Sequence, residues 1–468
     1  MIFFRFLPLF SYKVLNIQKR IATMPRCFFG KLFPKIEGQN SSLKANFFSL
    51  IMEDMDEVYA VIDMKSFYAS CECAARGLDI FSTPLAVCDP ERTENTIVMS
   101  VTPYLKKKYG AKNVERMKDL PKVDGMIYAK PRMAYYVKTS AKVVSIFLDF
   151  VSEEDLHVYS IDESFLRLTP YLGMYRCSAE ELVFRIQKRI KDELGLIATA
   201  GLGPNMFLAK VCLDQEGKKK PPFIARWSME DVPTKLWKIP LMDVWGISGG
   251  IATRLRKMGI STLEGVAKTD VSFLQEEFGI MGVQLHDLAN GIDRTDIRKK
   301  YVPKERSLSV GQTLIRDYSL DEAKLILREM TDDVCYRLRL AGQKARVVSL
   351  YMGYSASSGG GFSAQSRLNW PSDSNEKIYQ TVLGILSCKY DGSPIRNLGV
   401  SLGGLCEEEN DQLSLFQGED EERKQKQIWG AIDQISARYG RNAVLRASSL
   451  KEESTIKERH QQIGGHHA

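Results

Sequence analysis

The spacing of apolar positions from residue 57 onward predicts short strands where it alternates and helices where its period is three to four. The predicted elements are a strand at 57–63, helices at 64–75 and 133–151, strands at 157–161 and 165–169, a helix at 178–194, a strand at 197–202 and a helix at 207–213. Ser178 followed by Glu181 is the signature of a capping box. Without the mixed, basic insertion at 76–130, this order is that of a ferredoxin-like βαββαβ sheet.

The rest of the chain predicts two further regions. Residues 227–300 have helical spacing throughout, and 245–260 have the glycine-rich turn and flanking pattern of a helix-hairpin-helix, whose open helix N-terminus suits a phosphate. Charged residues around Pro303 predict a linker. Strand-like and helical runs then alternate over 307–405, which predicts a second, smaller α+β domain.

The net charge of +7 comes from one end of the chain. Residues 1–52 carry eight Lys and Arg and one acid, so the remaining 57 basic and 57 acidic residues balance. Binding to nucleic acid therefore has to come from the placement of charges. The basic start is either an organellar transit peptide or an upstream extension before Met52 or Met55, disordered or translated from a miscalled start, and the second interpretation is favoured because the recognisable fold begins near residue 57.

Two function classes are disfavoured by composition. The chain has no apolar run of 18 residues, so neither a transmembrane helix nor a membrane partner is expected. The nine cysteines are scattered, and the C-x-C spacing of Cys71 and Cys73 fits neither a zinc nor a redox motif. We expect reduced cysteines and a cytoplasmic protein.

Two acidic clusters are the clearest candidates for chemistry. Asp63 closes the apolar strand at 57–63, and Asp162-Glu163 lies between two predicted strands. A ferredoxin-like sheet would bring them onto neighbouring strands. Mg²⁺ prefers hard oxygen ligands, and three carboxylates are enough to hold two ions about 4 Å apart. The pattern predicts a two-cation site for phosphoryl or nucleotidyl transfer.

Three segments, the first two of which contain these acids, resemble the motifs of Y-family translesion DNA polymerases: Ala60–Glu72, Tyr159–Phe165 and Gly201–Lys210. Their order and spacing also agree, over about residues 57–405, and the similarity is greatest to the UmuC-like branch (UvrX type) of Gram-positive bacteria and their phages. The resemblance implies an α+β multidomain right-hand polymerase. Its parts would be a ferredoxin-like palm at 53–75 and 131–226, small fingers at 76–130, a helical thumb with the helix-hairpin-helix at 227–300, a linker at 301–306, an α+β little-finger domain that binds DNA at 307–405, and a tail at 406–468.

The same resemblance implies the catalytic residues. Asp63, Asp162 and Glu163, with the main-chain carbonyl of Met64, would bind two Mg²⁺ ions, for which Mn²⁺ can substitute. Tyr68 would be the steric gate that collides with a ribonucleotide 2′-hydroxyl, which is specificity by clash. Phe67 would also contact the nucleotide.

Basic residues are implied at the triphosphate. Tyr104 and Lys107 match the fingers motif, although the family usually has Arg at the second position, and a lysine cannot make the bidentate fork of arginine. Lys106 or Lys108 could share that role. Lys218 matches a palm lysine that contacts the phosphates only if one residue is inserted, since the family spacing points to Gly217; Lys219 and Lys220 are alternatives.

A short peptide in the tail resembles the bacterial sliding-clamp-binding motif. It consists of Gln412, Leu413, Ser414, Leu415 and Phe416, apolar residues in an acidic stretch that otherwise has no reason to expose them. It implies the sliding clamp, the β subunit of DNA polymerase III, as a partner.

The resemblance thus implies a DNA-directed DNA polymerase, a nucleotidyltransferase for low-fidelity translesion synthesis in DNA repair and damage tolerance, active in the SOS response to DNA damage. Its other partners would be primer–template DNA and deoxynucleoside triphosphates, and it would act as a monomer. Two alternatives remain open. A palm-type nucleotidyl cyclase would share the sheet and metals but has no use for the hairpin or the clamp peptide, and a non-catalytic DNA- and clamp-binding platform has no use for the three acids.

Overall fold

The computed structural model describes residues 57–91, 93–303, 305–407 and 419–467. They form two compact units, the first ending at Lys300 and the second beginning at Tyr301. The basic segment 1–52 and the peptide 412–416 lie outside the described residues. Within the described part of the chain, no helix is long and apolar enough to cross a lipid bilayer.

The first unit is organised around a five-stranded sheet. Its elements, with those inserted between them, are β1 Tyr59–Met64, α1 Phe67–Ala75, β2 Leu85–Val87, β3 Ser100–Val101, α2 Pro103–Tyr109, β4 Ile127–Ala129, α3 Met133–Leu148, β5 Leu156–Val158, β6 Glu163–Arg167, α4 Thr169–Tyr175, α5 Ala179–Leu194, β7 Ala198–Gly203, α6 Met206–Cys212 and β8 Ile224–Arg226. The strand order is β5-β6-β1-β7-β8, with β1 antiparallel to both neighbours. The first four strands have the predicted ferredoxin-like arrangement, and β8 adds a parallel edge strand.

The central strand β1 is buried on both faces because Ala60, Val61 and Ile62 are all apolar. Helix α1 begins three residues later than predicted, at Phe67, because Ser66 takes a left-handed conformation (φ 48°) that interrupts the helix. The capping box at the start of α5 is confirmed: Glu181 N–H donates to Ser178 Oγ, and Ser178 N–H donates to the Glu181 carboxylate.

Two glycines allow the sheet and the segment after it to approach closely. A Cβ on Gly201 in β7 would lie 2.3 Å from the Ala209 carbonyl oxygen, and a Cβ on Gly217 would lie 2.3 Å from the Ala200 carbonyl oxygen. No side chain fits at either position. The segment from α6 to Gly217 is therefore pressed directly against β7, next to β1.

The basic insertion forms a small layer with its own sheet, in the order β3-β2-β4, and helix α2 packs against it. The core of this layer includes Ala86, Val98, Val101 and Leu105.

The helices of residues 227–300 are α7 Asp231–Thr234, α8 Gly249–Lys257, α9 Leu263–Lys268, α10 Val271–Phe278 and α11 Ile280–Ala289. The predicted helix-hairpin-helix corresponds to the turn before α8 and to α8 itself. Gly246 has a positive φ of 92°, and Ser248 caps α8 by accepting a hydrogen bond from Ile251 N–H.

The second unit is an α+β fold. Its elements are β9 Leu308–Tyr318, α12 Leu320–Leu340, β10 Gln343–Tyr354, β11 Gly361–Ser372, α13 Asn375–Lys389, β12 Ile395–Gly403 and β13 Cys406–Glu407. The antiparallel sheet has the order β11-β10-β12-β9. Alternate residues of β10, among them Val348 and Leu350, pack against α12 and α13, while Tyr351 is exposed from the opposite face.

The tail continues the second unit beyond the little-finger region predicted from sequence. It contains α14 Glu419–Tyr439, α15 Ile456–His460, β14 Gln462–Ile463 and β15 His466–His467. Acidic residues of α12 meet arginines of the tail: Asp332 pairs with Arg446 at 2.6 Å, and Asp333 pairs with Arg459 at 2.8 Å. The tail is thus attached to α12 by ion pairs.

Candidate active site

Strands β1 and β6 bring the three predicted acids together. Asp63 and Glu163 are directly opposite each other in the antiparallel register, and Met64 N–H donates to the Asp162 carbonyl oxygen at 2.9 Å. Directly opposed residues lie on the same face of a sheet. Glu163 is the first residue of β6, whereas the sequence predicted it in the preceding turn. Ser160 Oγ donates to Asp162 Oδ1 at 2.7 Å and orients that carboxylate.

The electrostatics of Asp63 reflect this crowding. Burial, together with the negative charges of Asp162 and Glu163, raises the pKa of Asp63 to about 7, although the nearby Lys218 opposes the shift. The repulsion among the three acids is the part of this shift that an additional cation would relieve.

Glu163 forms a buried ion pair with Lys210 of α6. Lys210 Nζ donates to Glu163 Oε2 at 2.9 Å; it also lies 2.7 Å from Oε1, but outside hydrogen-bonding geometry, and Oε1 has no other partner among the described residues. Burial raises the pKa of Glu163, while the charge of Lys210 acts in the opposite direction. Glu163 Oε1 can therefore still accept a hydrogen bond or bind a cation.

Of the three lysines considered for the phosphates, Lys218, Lys219 and Lys220, it is Lys218 that reaches the acids. Its Nζ lies 3.1 Å from Asp63 Oδ2 and 2.9 Å from Asp214 Oδ1. Burial lowers the pKa of Lys218, but the charges of Asp63 and Asp214 outweigh that effect and raise it above its ordinary value. Lys219 and Lys220 are exposed.

The match of Lys218 to the family motif assumes one inserted residue, and the segment before it contains an irregular helical turn. Leu213–Gly217 form a π-helical turn directly after α6. A π-turn adds one residue to a helix, and such turns are frequent at functional sites. Gly217 itself has no space for a side chain against Ala200, so the lysine follows at 218.

The fit of divalent ions can be judged from these residues. Among the described residues, no three or more His, Cys, Asp or Glu side chains stand together at metal-ligand distances; Lys218 and Lys210 instead lie against Asp63 and Glu163. The acids nevertheless fit such ions. They offer hard oxygen donors, the charges of Asp162 and Glu163 add to the burial that raises the pKa of Asp63, and Glu163 Oε1 lacks a hydrogen bond within the described residues.

Tyr68 lies beside the acids, on α1. Burial and the charge of Asp162 raise the pKa of Tyr68 to about 12. Its ring centroid is 5.0 Å from that of Tyr136 and 5.6 Å from that of the buried Phe67. Tyr136 is held in turn by donating to Glu72 at 2.8 Å. The Tyr68 ring is therefore supported by packing, as a steric element requires.

The lysines of α2 point in different directions. Lys106 is half-buried, and burial together with the charges of Lys65 and Lys218 lowers its pKa, against the effect of Asp63. Lys107 is exposed. Lys108 Nζ donates to Tyr104 Oη at 2.9 Å. Of the three, Lys106 is thus the one that interacts electrostatically with the acidic site, whereas the resemblance had pointed first to Lys107.

Three residues near the acids were given no role from the sequence: Lys65, Lys210 and Asp214. Lys210, Asp214 and Lys218 are spaced by four residues each, and Asp214 bonds to both lysines. That spacing is a readable signal for helical ion pairs. The sequence gives a weaker indication of a role for Lys65, which is a charged residue among apolar residues and residues with small side chains.

Comparison with protein families adds independent information. Residues 62–214 match the impB/mucB/samB family, and residues 305–415 match the C-terminal domain of the same family. The first match includes all three acids, the steric-gate candidate and Tyr104.

Similar proteins match over most of their length. A protein named for UV-damage repair, UvrX of Bacillus subtilis, is 37% identical over 86% of this chain and 96% of its own. DNA polymerase IV 2 of B. subtilis is 32% identical over 88% of this chain and 99% of its own. A solved chimera of the Y-family DNA polymerases Dbh and Dpo4 superposes with a TM-score of 0.61 at 18% identity, over 75% of this chain and 99% of that one, which indicates the same fold.

Proposed function

The chain belongs to the impB/mucB/samB family and is a Y-family DNA polymerase for translesion synthesis, and we propose that Asp63, Asp162 and Glu163 are its catalytic residues. The observation that carries the proposal is the antiparallel register that sets Asp63 opposite Glu163, with Asp162 adjacent. The segment 62–214 that matches the family model contains all of them.

Polymerases of this kind depend on divalent metal ions, and we propose two Mg²⁺ ions, or Mn²⁺ in their place, held by the three carboxylates and the Met64 carbonyl oxygen. Such ions lower the pKa of the primer 3′-hydroxyl and neutralise the departing pyrophosphate. The protein residues hold the reactants in place. Ser160 orients Asp162, and Lys210 keeps the Glu163 carboxylate in position through the buried ion pair.

Primer extension by the Asp162→Ala variant tests this mechanism directly, since extension that survives the substitution removes the metal role from Asp162. The two alternatives are tested with the same preparation. A nucleotidyl cyclase would form cyclic product from ATP or GTP, and a DNA-binding platform would not extend a primer at all.

We propose that Tyr104, Lys106 and Lys218 hold the triphosphate. Lys107, which matches the family motif by position, is the alternative to Lys106 in this role. Lys106 and Lys218 interact with the same acid, Asp63, so both lie where a triphosphate held beside that acid would meet their positive charges. Phe67, buried under Tyr68, supports the sugar site through the neighbouring ring.

Replacing the steric gate by alanine is expected to remove discrimination against ribonucleotides. With Tyr68→Ala, the ratio of kcat/KM for dNTP over NTP should fall by about 10²-fold or more, because the ring that clashes with the 2′-hydroxyl is gone. Single-nucleotide insertion kinetics measure the ratio. Tyr68→Phe, which keeps the ring, is the control and should retain most of the discrimination; an unchanged ratio in Tyr68→Ala would show that another residue is the gate.

The domain roles are part of the same proposal. The palm would be residues 53–75 and 131–226, the fingers 76–130, the thumb 227–300, the linker 301–306 and the little finger 307–405, followed by the tail 406–468. Primer–template DNA would be bound mainly through its phosphates, in part by the basic last turn of α8 with Arg254, Arg256 and Lys257. A monomer acting in the cytoplasm as part of the SOS response completes the proposal.

The peptide Gln412–Phe416 is proposed to bind the sliding clamp. The described elements nearest to it in sequence, β13 and α14, are parts of the second unit. Replacing Leu415 and Phe416 by alanine should abolish binding to the immobilised clamp, measured by surface plasmon resonance, and leave clamp-free primer extension unchanged. Leu450→Ala, an exposed leucine of the same tail, is the matched control; clamp binding that persists without Leu415 and Phe416 would place the clamp contact elsewhere.

A further inference from the structure

Lys65 links two distant segments of the site. It lies in the turn between β1 and α1, two residues after Asp63. Its Nζ donates to the main-chain carbonyl oxygen of Lys218 at 2.8 Å and stands 4.7 Å from the centroid of the Phe223 ring. Its own main-chain N–H donates to the Ile197 carbonyl oxygen at 2.9 Å. The side chain therefore extends from a fixed backbone to the segment that carries Lys218.

That segment has little regular structure to hold it. Lys218 lies in a turn after the π-turn, followed by the exposed Lys219 and Lys220. Its main-chain N–H donates to the Leu213 carbonyl oxygen at 3.1 Å. The hydrogen bond from Lys65 is made to the carbonyl oxygen of the same residue. The two bonds together therefore fix the position of the Lys218 main chain, from which its side chain extends.

The ammonium group of Lys65 donates its hydrogen bond to a neutral acceptor. A half-buried ammonium group commonly pairs with a carboxylate, yet within the described residues the hydrogen bond of Lys65 Nζ goes to a neutral carbonyl oxygen. Lys218, in contrast, bonds to Asp63 and Asp214. The charge of Asp63 acts on Lys65 as well, but the hydrogen bond of its ammonium group is made to the backbone that carries Lys218.

We infer that Lys65 is a positioning residue, whose hydrogen bond to the Lys218 carbonyl holds the Lys218 ammonium at Asp63, where the triphosphate binds. The inference rests on the proposed role of Lys218 in nucleotide binding. Lys65 acts on the nucleotide through Lys218, so its contribution depends on the presence of the Lys218 side chain.

A double-mutant cycle tests this dependence. Wild type, Lys65→Met, Lys218→Met and the double variant are compared by the Kd for dNTP on a complex with a dideoxy-terminated primer, in which no bond forms, and by KM and kcat on an extendable primer. Lys65→Met should weaken dNTP binding about tenfold, the size expected for a hydrogen bond from a charged donor, with little change in kcat. In the Lys218→Met background, the same substitution should have little further effect. Lys191→Met, at an exposed lysine of α5, should bind dNTP as wild type does.

The possible results separate this inference from the proposed function. Losses that multiply in the double variant would show that Lys65 acts independently of Lys218 and would overturn the inference, as would unchanged dNTP affinity in Lys65→Met beside a loss in Lys218→Met. If Lys218→Met alone binds dNTP normally, the proposed role of Lys218 fails, and the inference falls with it. Should Lys65→Met not fold, Lys65→Gln takes its place, with the same non-additivity expected.

Discussion

The Asp162→Ala variant is expected to lose primer extension, with a single-turnover insertion rate at least about 10³-fold below that of the wild type. Asp162 contributes one of three carboxylates, and its charge is strong enough at Asp63 to raise the pKa of that residue. Removing it weakens the attraction for cations at the centre of the site. The measurement is insertion of one dNTP on a primer–template with Mg²⁺, beside DNA binding by fluorescence anisotropy, which should be unchanged.

A matched control is available on α5. Asp192 is an exposed aspartate whose side chain pairs with Lys188 one helical turn away, so Asp192→Ala should extend primers within about twofold of wild type, the effect expected of a surface ion pair. Normal extension by Asp162→Ala would contradict the site assignment. A loss of DNA binding in the same variant would instead indicate a folding defect.

The Asp333→Ala variant is expected to destabilise the second unit by about 3–5 kcal/mol, the effect of removing one partner of a buried ion pair. The Asp333 side chain is only 6% exposed and pairs with Arg459 and His460, each at 2.8 Å, and with Arg441. Without Asp333, the one ion pair that the described residues leave to the nearly buried Arg459 guanidinium is with Glu329, at 3.8 Å. Hydrogen exchange of the α12 amides in the intact chain measures the change.

The pH dependence of this effect has a definite sign. Burial alone would raise the pKa of Asp333, but the hydrogen bond with His460 and the charges of Arg459 and Arg441 lower it well below its usual value. The stabilisation is therefore fully present above the unfolded-state pKa of about 3.9 and is lost as the pH falls below it. The difference between wild type and Asp333→Ala should be full at pH 7 and shrink below about pH 4.

The control for this second substitution lies on the same helix. Asp321 of α12 is 91% exposed and pairs with Lys324, so Asp321→Ala should cost less than about 1 kcal/mol. Equal protection of the α12 amides in Asp333→Ala and wild type would mean that the tail does not stabilise this helix.

Much of the fold followed from local pattern. The alternating residues of β1, the helical period of α3 and α5 and the capping box at Ser178 each describe a structure formed by residues close in sequence. The order of these elements predicted the ferredoxin-like sheet, and with it that the acids lie on neighbouring strands, which the register of β1 and β6 agrees with. The resemblance of three short segments to a polymerase family added the proposed roles of the residues.

Which lysines face the acids could not be predicted from the local sequence pattern. The π-turn before Lys218 lies where α6 and Leu213 approach Gly201 and where Gly217 approaches Ala200, and no periodicity signals it. The choice of Lys106 over Lys107 depends on which face of α2 is turned toward Asp63. In both cases a difference of one residue changes the direction of a side chain, and only packing decides it.

By itself, the sequence determined the family, the βαββαβ sheet and the acidic residues, because strand alternation, helical period and motif spacing are properties of neighbouring positions. The tertiary structure decided which lysine meets which acid and that the tail belongs to the second unit. Those contacts join residues such as Lys65 and Lys218, or Asp333 and His460, 153 and 127 positions apart. An ion pair or hydrogen bond depends on distances of a few ångströms between atoms, and such distances exist only once the chain has folded.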